Sequence, residues 1–380
     1  MRILHTSDWH LGRALCGERL LDDQAFVLDQ LTRIADDFHP DAVLVAGDVY
    51  DRAVPAPDAV QLLDDVVTRL VLDRDIHVFM IAGNHDSGTR LSFGARLLAR
   101  GKLHLIGSLR EGPSVVVLPD DYGDVSVCTV PYAEPMLAAD ELDCPSICDH
   151  DTAMRAAVER VRAAVPAGRT VLMTHAFVAG GEISESERTL TVGGAGTVAA
   201  DAFDGFTYVA LGHLHRAQAL ADTIRYSGSI LKYSFSEEHH AKSVELVEID
   251  AQCGCRIERV PLVARRDVRT IRGRFDDLMR TPDAIGRNDL IGVELLDSEP
   301  ILDAKLRLSE IYPNVLQVRQ PNFLLIGVSV QGTDTSTMDD ATLFASFFQQ
   351  VMGRELTSEE VAEFASVHDE VSMQEREVSA

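Results

Sequence analysis

Along the chain, short apolar runs alternate with longer stretches in which apolar residues recur every three or four positions. Residues 2–7, R-I-L-H-T-S, read as a short strand. Between 20 and 38, Leu20, Val27, Leu28, Leu31, Ile34, Ala35 and Phe38 fall at helical spacing, and Pro40 marks the end. D41-A-V-L-V-A-G-D48 has the look of a buried strand, 56–72 of a helix, I76-H-V-F-M-I-A82 of a strand, and 89–100 of an amphipathic helix. Strands alternating with helices predict βαβ units and a parallel sheet, an α/β chain.

The middle is richer in strands. S114-V-V-V-L-P and V125-S-V-C-T-V flank D-D-Y-G-D, a hairpin pattern. A helix is expected over 151–165, then strands V171-L-M-T-H175 and T207-Y-V-A-L-G-H213 on either side of a Gly, Ser and Thr-rich loop at 179–200. Residues 224–228 and 243–250 continue a sheet to about Val263. At R265-R-D-V-R-T-I-R-G-R274 the character changes, and a new β-α-β pattern follows at 289–296, 302–311 and 315–319, with the apolar F323-L-L-I-G-V-S-V330 closing it. A polar linker follows Gly332. This predicts three parts: 1–264, a small α/β domain at 265–335, and a C-terminal helix pair at 336–380. In that pair Leu343, Phe344, Phe347, Phe348 and Val351 form one exposed apolar stripe, and T357-S-E-E360 starts a second helix with Val361, Phe364 and Val367.

Composition changes this picture little. The 380 residues are 46% hydrophobic and 25% charged, ordinary for a globular protein. No apolar run suits a membrane helix, and the N-terminus has no signal-peptide core, so a cytoplasmic location is expected. Cys16, Cys128, Cys144, Cys148, Cys253 and Cys255 include no C-x-x-C pair and read as free thiols. The net charge of −25 argues against a protein that coats nucleic acid with a basic surface. It leaves room for a local basic groove, and bound divalent cations offset acid near a phosphate. No G-x-x-x-x-G-K-[ST] loop is present, which excludes ATP hydrolysis by that route.

Candidate chemistry gathers at the ends of the apolar runs. Asp8 follows I-L-H-T-S, Asp48 follows V-L-V-A-G, Asn84 and His85 follow V-F-M-I-A-G, His175 follows V-L-M-T and His213 follows V-A-L-G. Ligands of open α/β sheets collect beyond the carboxyl ends of strands, so these stretches are expected to share one rim. Asp8 and His10, and His213 and His215, are i, i+2 pairs, which face one side in extended backbone. Asp8, His10, Asp48, Asn84, His175, His213 and His215 thus make seven nitrogen or oxygen donors. One zinc needs three or four; seven suit two metals, and without a thiolate they suit Mn²⁺, Fe²⁺ or Zn²⁺ better than Mg²⁺ alone. Two such ions clamp a phosphoryl group and activate water. His85, surplus to the ligand count, suits protonation of a leaving oxygen, with Asp86 orienting its ring. Each short motif alone has a bland reading as turn or surface; their joint occurrence in this order does not.

The ordered set D8-x-H10, G47-D48-x-x-D51, G83-N84-H85-D86, H175 and G212-H213-x-H215 resembles the calcineurin-like metallophosphoesterases. T6-S7-D8-W9-H10-L11-G12, R225-Y-S-G-S-I-L-K-Y-S-F-S-E237 and the change near Arg265 resemble, within them, the bacterial DNA nucleases that work with a partner ATPase. The resemblance implies a two-sheet sandwich flanked by helices, with 265–335 as a capping domain. It implies two Mn²⁺ ions, one on Asp8, His10, Asp48 and His215, the other on Asp48, Asn84, His175 and His213, and His85 as general acid. It further implies a 3′→5′ double-strand exonuclease and single-strand or hairpin endonuclease in DNA end processing, repair, recombination and replication. An SbcC-type ATPase would bind the C-terminal helices, with a homodimer inside a heterotetramer. Two other readings stay open at this point: a metallophosphoesterase for a cyclic nucleotide or phosphoprotein, since such a site reads phosphate rather than base, and an idle scaffold.

Overall fold

The computed structural model describes residues 1–110, 114–166, 168–187, 196–280, 286, 288–324, 341–342, 344–345, 348–349, 353–365 and 368. Contacts divide the chain into two units, Met1–Arg269 and Thr270–Ala380.

The first unit holds two six-stranded sheets. In one, Arg2–Thr6, Ala42–Val45, His77–Ile81 and Leu103–Ile106 run parallel, and Ser243–Ile249 and Cys255–Pro261 extend the Arg2–Thr6 side antiparallel. In the other, Gly123–Val130, Arg169–His175, Tyr208–Gly212 and Ile224–Tyr226 run parallel between an antiparallel Ser114–Asp120 and a short Gln218–Ala219 edge.

Side chains alternate across each strand, and the central strands of both sheets are covered on both faces. Ile3, Leu44, Phe79 and Ile81 of the first sheet meet Val125, Val127, Val171, Met173, Tyr208 and Ala210 of the second. The first sheet's other face carries Leu4, Val43, Val45, Val78 and Met80, all buried. Helices Leu21–Phe38 and Pro57–Val71 bury Val27, Leu28, Leu31, Leu63, Val66 and Leu70 on that side. Cys128, Val130, Leu172 and Leu211 of the second sheet pack with Ala153, Met154, Ala157 and Val158 of helix His150–Arg162. Burial on two faces explains why these strands read as unbroken apolar runs rather than alternating ones.

The helix expected over 89–100 is broken. Two short turns, Gly88–Leu91 and Ala95–Leu98, are separated by Gly94 at φ 73°, a left-handed residue that cannot continue a helix. Phe93 and Leu97 are thereby left exposed.

The second unit carries a three-stranded sheet that Val268–Gly273 enters and Leu290–Leu295 and Val315–Arg319 complete. Helices Phe275–Arg280 and Ala304–Ser309 flank it, over a core of Ile271, Phe275, Ile291, Val293, Leu308 and Tyr312. Pro321–Leu324 forms a helical turn; of the apolar stretch expected to close this domain, 325–330 lie outside the described residues. Thr357 and Glu360 form the expected capping box, each accepting from the other's main-chain N–H. The six cysteines are free thiols. Among the described residues, no helix is long and apolar enough to cross a membrane.

Candidate metal centre

All seven candidate ligands lie at or just beyond the carboxyl ends of parallel strands, where the two sheets meet. The Asp8 N–H donates to the Gly47 oxygen at 3.0 Å, joining neighbouring strand ends of the first sheet. His175, closing strand Arg169–His175 of the second sheet, donates from Nδ1 to the Ala46 oxygen of the first, 2.9 Å away. The His213 N–H donates to the Asp8 carboxylate.

The two i, i+2 pairs do not lie on the extended backbone expected of them. Asp8, His10, Asp48 and His213 have φ of 52°, 45°, 48° and 111°, so the pairs sit on left-handed turns, not on extended backbone. Such conformations cost of order 1–3 kcal/mol each and persist where surrounding structure enforces them. The glycines of these motifs have a steric reason. A Cβ on Gly47 would stand 2.3 Å from His175 Nδ1, one on Gly83 2.2 Å from Asp48 Oδ1, and one on Gly212 1.7 Å from the Ala46 oxygen.

Ligand atoms of Asp8, His10 and His215 lie within 4.8 Å of one another, as do those of Asp8, Asp48 and His175. Asn84 Oδ1 is 2.9 Å from His175 Nε2 and 3.0 Å from His213 Nδ1. Because His175 Nδ1 bears the hydrogen given to Ala46, its Nε2 presents a lone pair. His10 and His215 bring their Nε2 atoms to 3.1 Å, and His10 Nδ1 is buried without a hydrogen-bond partner. Burial lowers His175 to about 3 and His215 to about 4, and holds His10 and His213 well below the usual imidazole value. The four rings are therefore neutral, as ligation requires. Burial raises Asp8 to about 8, and burial followed by the neighbouring Asp8 raises Asp48 well above the carboxylate range. Two buried carboxylates beside lone-pair imidazoles form a donor set that a divalent cation would complete.

His85 stands beside this set, its ring centroid 4.7 Å from that of His10. Its Nδ1 is held by the Asp51 main-chain oxygen at 2.9 Å. The expected orienting role of Asp86 is not what the structure shows. Asp86 accepts from the N–H groups of Val49, Tyr50 and Gly83, tying the two strand-end loops together.

Sequence reasoning missed the residues behind His215. Glu237, fully buried, faces His215 Nδ1 at 3.1 Å and pairs with buried Lys242. Burial alone would raise Glu237, but Lys242 and His215 together hold it well below the carboxylate range. Gln24 supports His10 from another side, donating to the main-chain oxygens of Trp9 and His10. Glu237 closes a stretch singled out above, but nothing in its spacing announces a contact with His215.

Part of the C-terminal stripe lies within the described residues. Phe344, Phe348 and Phe364 are half-buried, with Phe344 and Phe364 stacked at 4.1 Å and Arg354 over Phe348. Val361 is exposed; Leu343 and Phe347 lie outside the described residues.

Comparison with known proteins agrees with this geometry. The calcineurin-like phosphoesterase family matches residues 1–217, and the type 5 capsule protein repressor C-terminal domain matches 264–352. The D subunit of nuclease SbcCD from Staphylococcus saprophyticus is 32% identical over 362 residues, covering 94% of this chain and 95% of that protein. Among solved structures, TT1561 of Thermus thermophilus matches 68% of this chain and 98% of its own, at 12% identity and a TM-score of 0.38. A dimetal phosphatase from Danio rerio matches 69% and 98%, at 12% identity and a TM-score of 0.39. These two overlays add nothing to the assignment. By the match over its first 217 residues and the near full-length relationship to the staphylococcal nuclease chain, the protein belongs to the calcineurin-like phosphoesterases, a family of metallophosphoesterase enzymes, in the branch of the SbcCD nuclease subunits.

Proposed function

We propose that this chain is a divalent-metal-dependent DNA nuclease that works with an SbcC-type ATPase. The convergence of seven neutral or carboxylate donors from five strand ends, in a chain of this branch, supports the reading most. Two Mn²⁺ ions would be held, one by Asp8, His10, Asp48 and His215, the other by Asp48, Asn84, His175 and His213. When bound, such ions neutralise charge on a phosphodiester and lower the pKa of water. The protein's part is to hold the donors in fixed geometry and to move a proton. With Nδ1–H of His85 directed at the Asp51 oxygen, Nε2 is the nitrogen from which the leaving oxygen would take its proton.

In this reading residues 1–264 are the nuclease domain, 265–335 cap it, and 336–380 bind the ATPase. The enzyme cuts duplex ends 3′→5′ and opens hairpins and single strands during DNA end processing, repair, recombination and replication in the cytoplasm, as a homodimer within a heterotetramer. The deciding test is cleavage of end-labelled duplex and hairpin DNA in Mn²⁺, with an EDTA control and a small phosphodiester ester alongside. EDTA-sensitive DNA cleavage is expected. Turnover of the ester with DNA untouched, even with the ATPase present, would point to a different phosphoesterase.

A further inference from the structure

Four histidines supply candidate ligand nitrogens, and their second nitrogens are treated differently. His175 Nδ1 rests on a main-chain oxygen, His10 Nδ1 makes no hydrogen bond and stands 3.8 Å from Asp51 Oδ1, and His213 Nδ1 faces Asn84, itself a candidate ligand. His215 Nδ1 alone among them meets a buried carboxylate, Glu237 Oε1 at 3.1 Å, with Ser186 Oγ at 2.8 Å. Ser186 Oγ also donates to that carboxylate. The His215 main chain is held as firmly: its N–H donates to Glu187 at 2.6 Å, and its oxygen accepts from Lys242 Nζ at 2.8 Å. Lys242 in turn bonds Glu237 Oε2 and Ser229 Oγ. Only the His215 Nε2 side, toward Asp8 and His10, is left for a ligand.

We propose that Glu237 and Lys242 are a positioning pair that fixes the tautomer and orientation of His215 for the cation it shares with Asp8 and His10. The inference rests on the metal-centre reading above. A carboxylate on the far nitrogen fixes which nitrogen carries hydrogen and makes the near one a stronger donor. Lys242 sets a positive charge against the buried Glu237 carboxylate and also donates to the His215 main-chain oxygen. A buried ion pair is often replaceable by apolar side chains with no loss of stability, or with a gain. Glu237 ends a short 3-10 turn, Phe235–Glu237, and its carboxylate faces His215, Ser186 and Lys242. The ion pair answers a demand of His215.

The test is calorimetric titration of the metal-free full chain with Mn²⁺, comparing wild type, Glu237→Gln and Glu237→Ala, with thermal unfolding of each metal-free protein. Loss of such a partner typically weakens metal affinity about 10–100-fold. One of two Mn²⁺ sites is expected to weaken by about that factor in Glu237→Ala and by less in Glu237→Gln, which keeps an oxygen opposite Nδ1. The other site should hold its affinity. If Glu237→Ala does not fold, Glu237→Gln decides. Wild-type affinity for both ions in Glu237→Gln overturns the proposal, as does equal weakening of both sites in step with a lowered melting temperature, which marks a purely structural role. Wild-type protein that binds no Mn²⁺ overturns the metal-centre reading itself, a separate and distinguishable failure.

Discussion

The His175 imidazole of one sheet gives its Nδ1 hydrogen to the Ala46 main-chain oxygen of the other, 2.9 Å away. That bond crosses the sandwich at its rim and leaves Nε2 as the ligand atom. Gly47, next in the chain, has φ 89° and no room for a Cβ beside the ring. Gly47→Ala is therefore expected to destabilise the protein by at least about 1–3 kcal/mol from backbone strain and to lose Mn²⁺ binding. Thermal unfolding with and without Mn²⁺ reads both; an unchanged metal-induced shift in melting temperature would remove the steric argument.

His85→Ala should retain both cations and lose about 10²–10⁴-fold in cleavage rate, the usual range for a general acid. Mn²⁺ calorimetry beside single-turnover DNA cleavage separates the two effects. Near wild-type cleavage would take the proton-transfer role away from His85.

Asp8 makes the metal-free protein pH-sensitive in a definite direction. Its folded value of about 8 lies above the ordinary 3.8. A raised carboxylate favours folding least once pH has climbed through the folded value. Asp8→Asn should therefore stabilise the chelator-treated protein, and more at pH 8.5 than at pH 5, while abolishing stabilisation by Mn²⁺. Urea unfolding at the two pH values checks this, and an equal effect at both would contradict it. (The two pH values are about half a unit above the folded value and about one above the unfolded one.)

Asp86→Ala leaves three main-chain N–H groups without their acceptor. An orphaned buried donor costs about 1–3 kcal/mol, so a stability loss of several kcal/mol is expected. The pH profile of residual cleavage should keep its shape, because His85 is held from Asp51. A shifted profile with unchanged stability would restore the ring-orienting role.

Ending the chain after Gly332 removes the stacked Phe344 and Phe364. Mn²⁺ binding should survive and co-purification with the SbcC-type ATPase should fail. Undiminished co-purification would move the partner surface elsewhere.

How much of this was legible in the sequence depended on whether a feature was local. The strand ends were, because A-V-L-V, V-F-M-I and V-L-M-T are buried on both faces and the next residues are Gly, Asp, Asn or His. The glycines marked turns, but that Gly47, Gly83 and Gly212 exist to admit His175, Asp48 and Ala46 depends on contacts across sheets. Gly94 looked harmless inside an amphipathic pattern, yet its left-handed backbone ends the turn. Glu237 lies 22 residues from His215 on an irregular stretch, with no periodicity to point at its target. The carboxyl of Asp86 looked like a ring partner by adjacency alone, while two of its three main-chain contacts lie 36 and 37 residues back.

The position of the first strand bears on how the protein is made. Arg2–Thr6 sits inside its sheet, flanked by Ala42–Val45 and by Ser243–Ile249. As the chain leaves the ribosome, Asp8 and His10 emerge first, but the strand beside them loses its open edge only after Ile249 has been synthesised. His175, His213 and His215 also arrive late, on the second sheet. A chain that ends before His215 thus lacks part of the donor set, and the candidate centre can be completed only after most of the first unit has been translated.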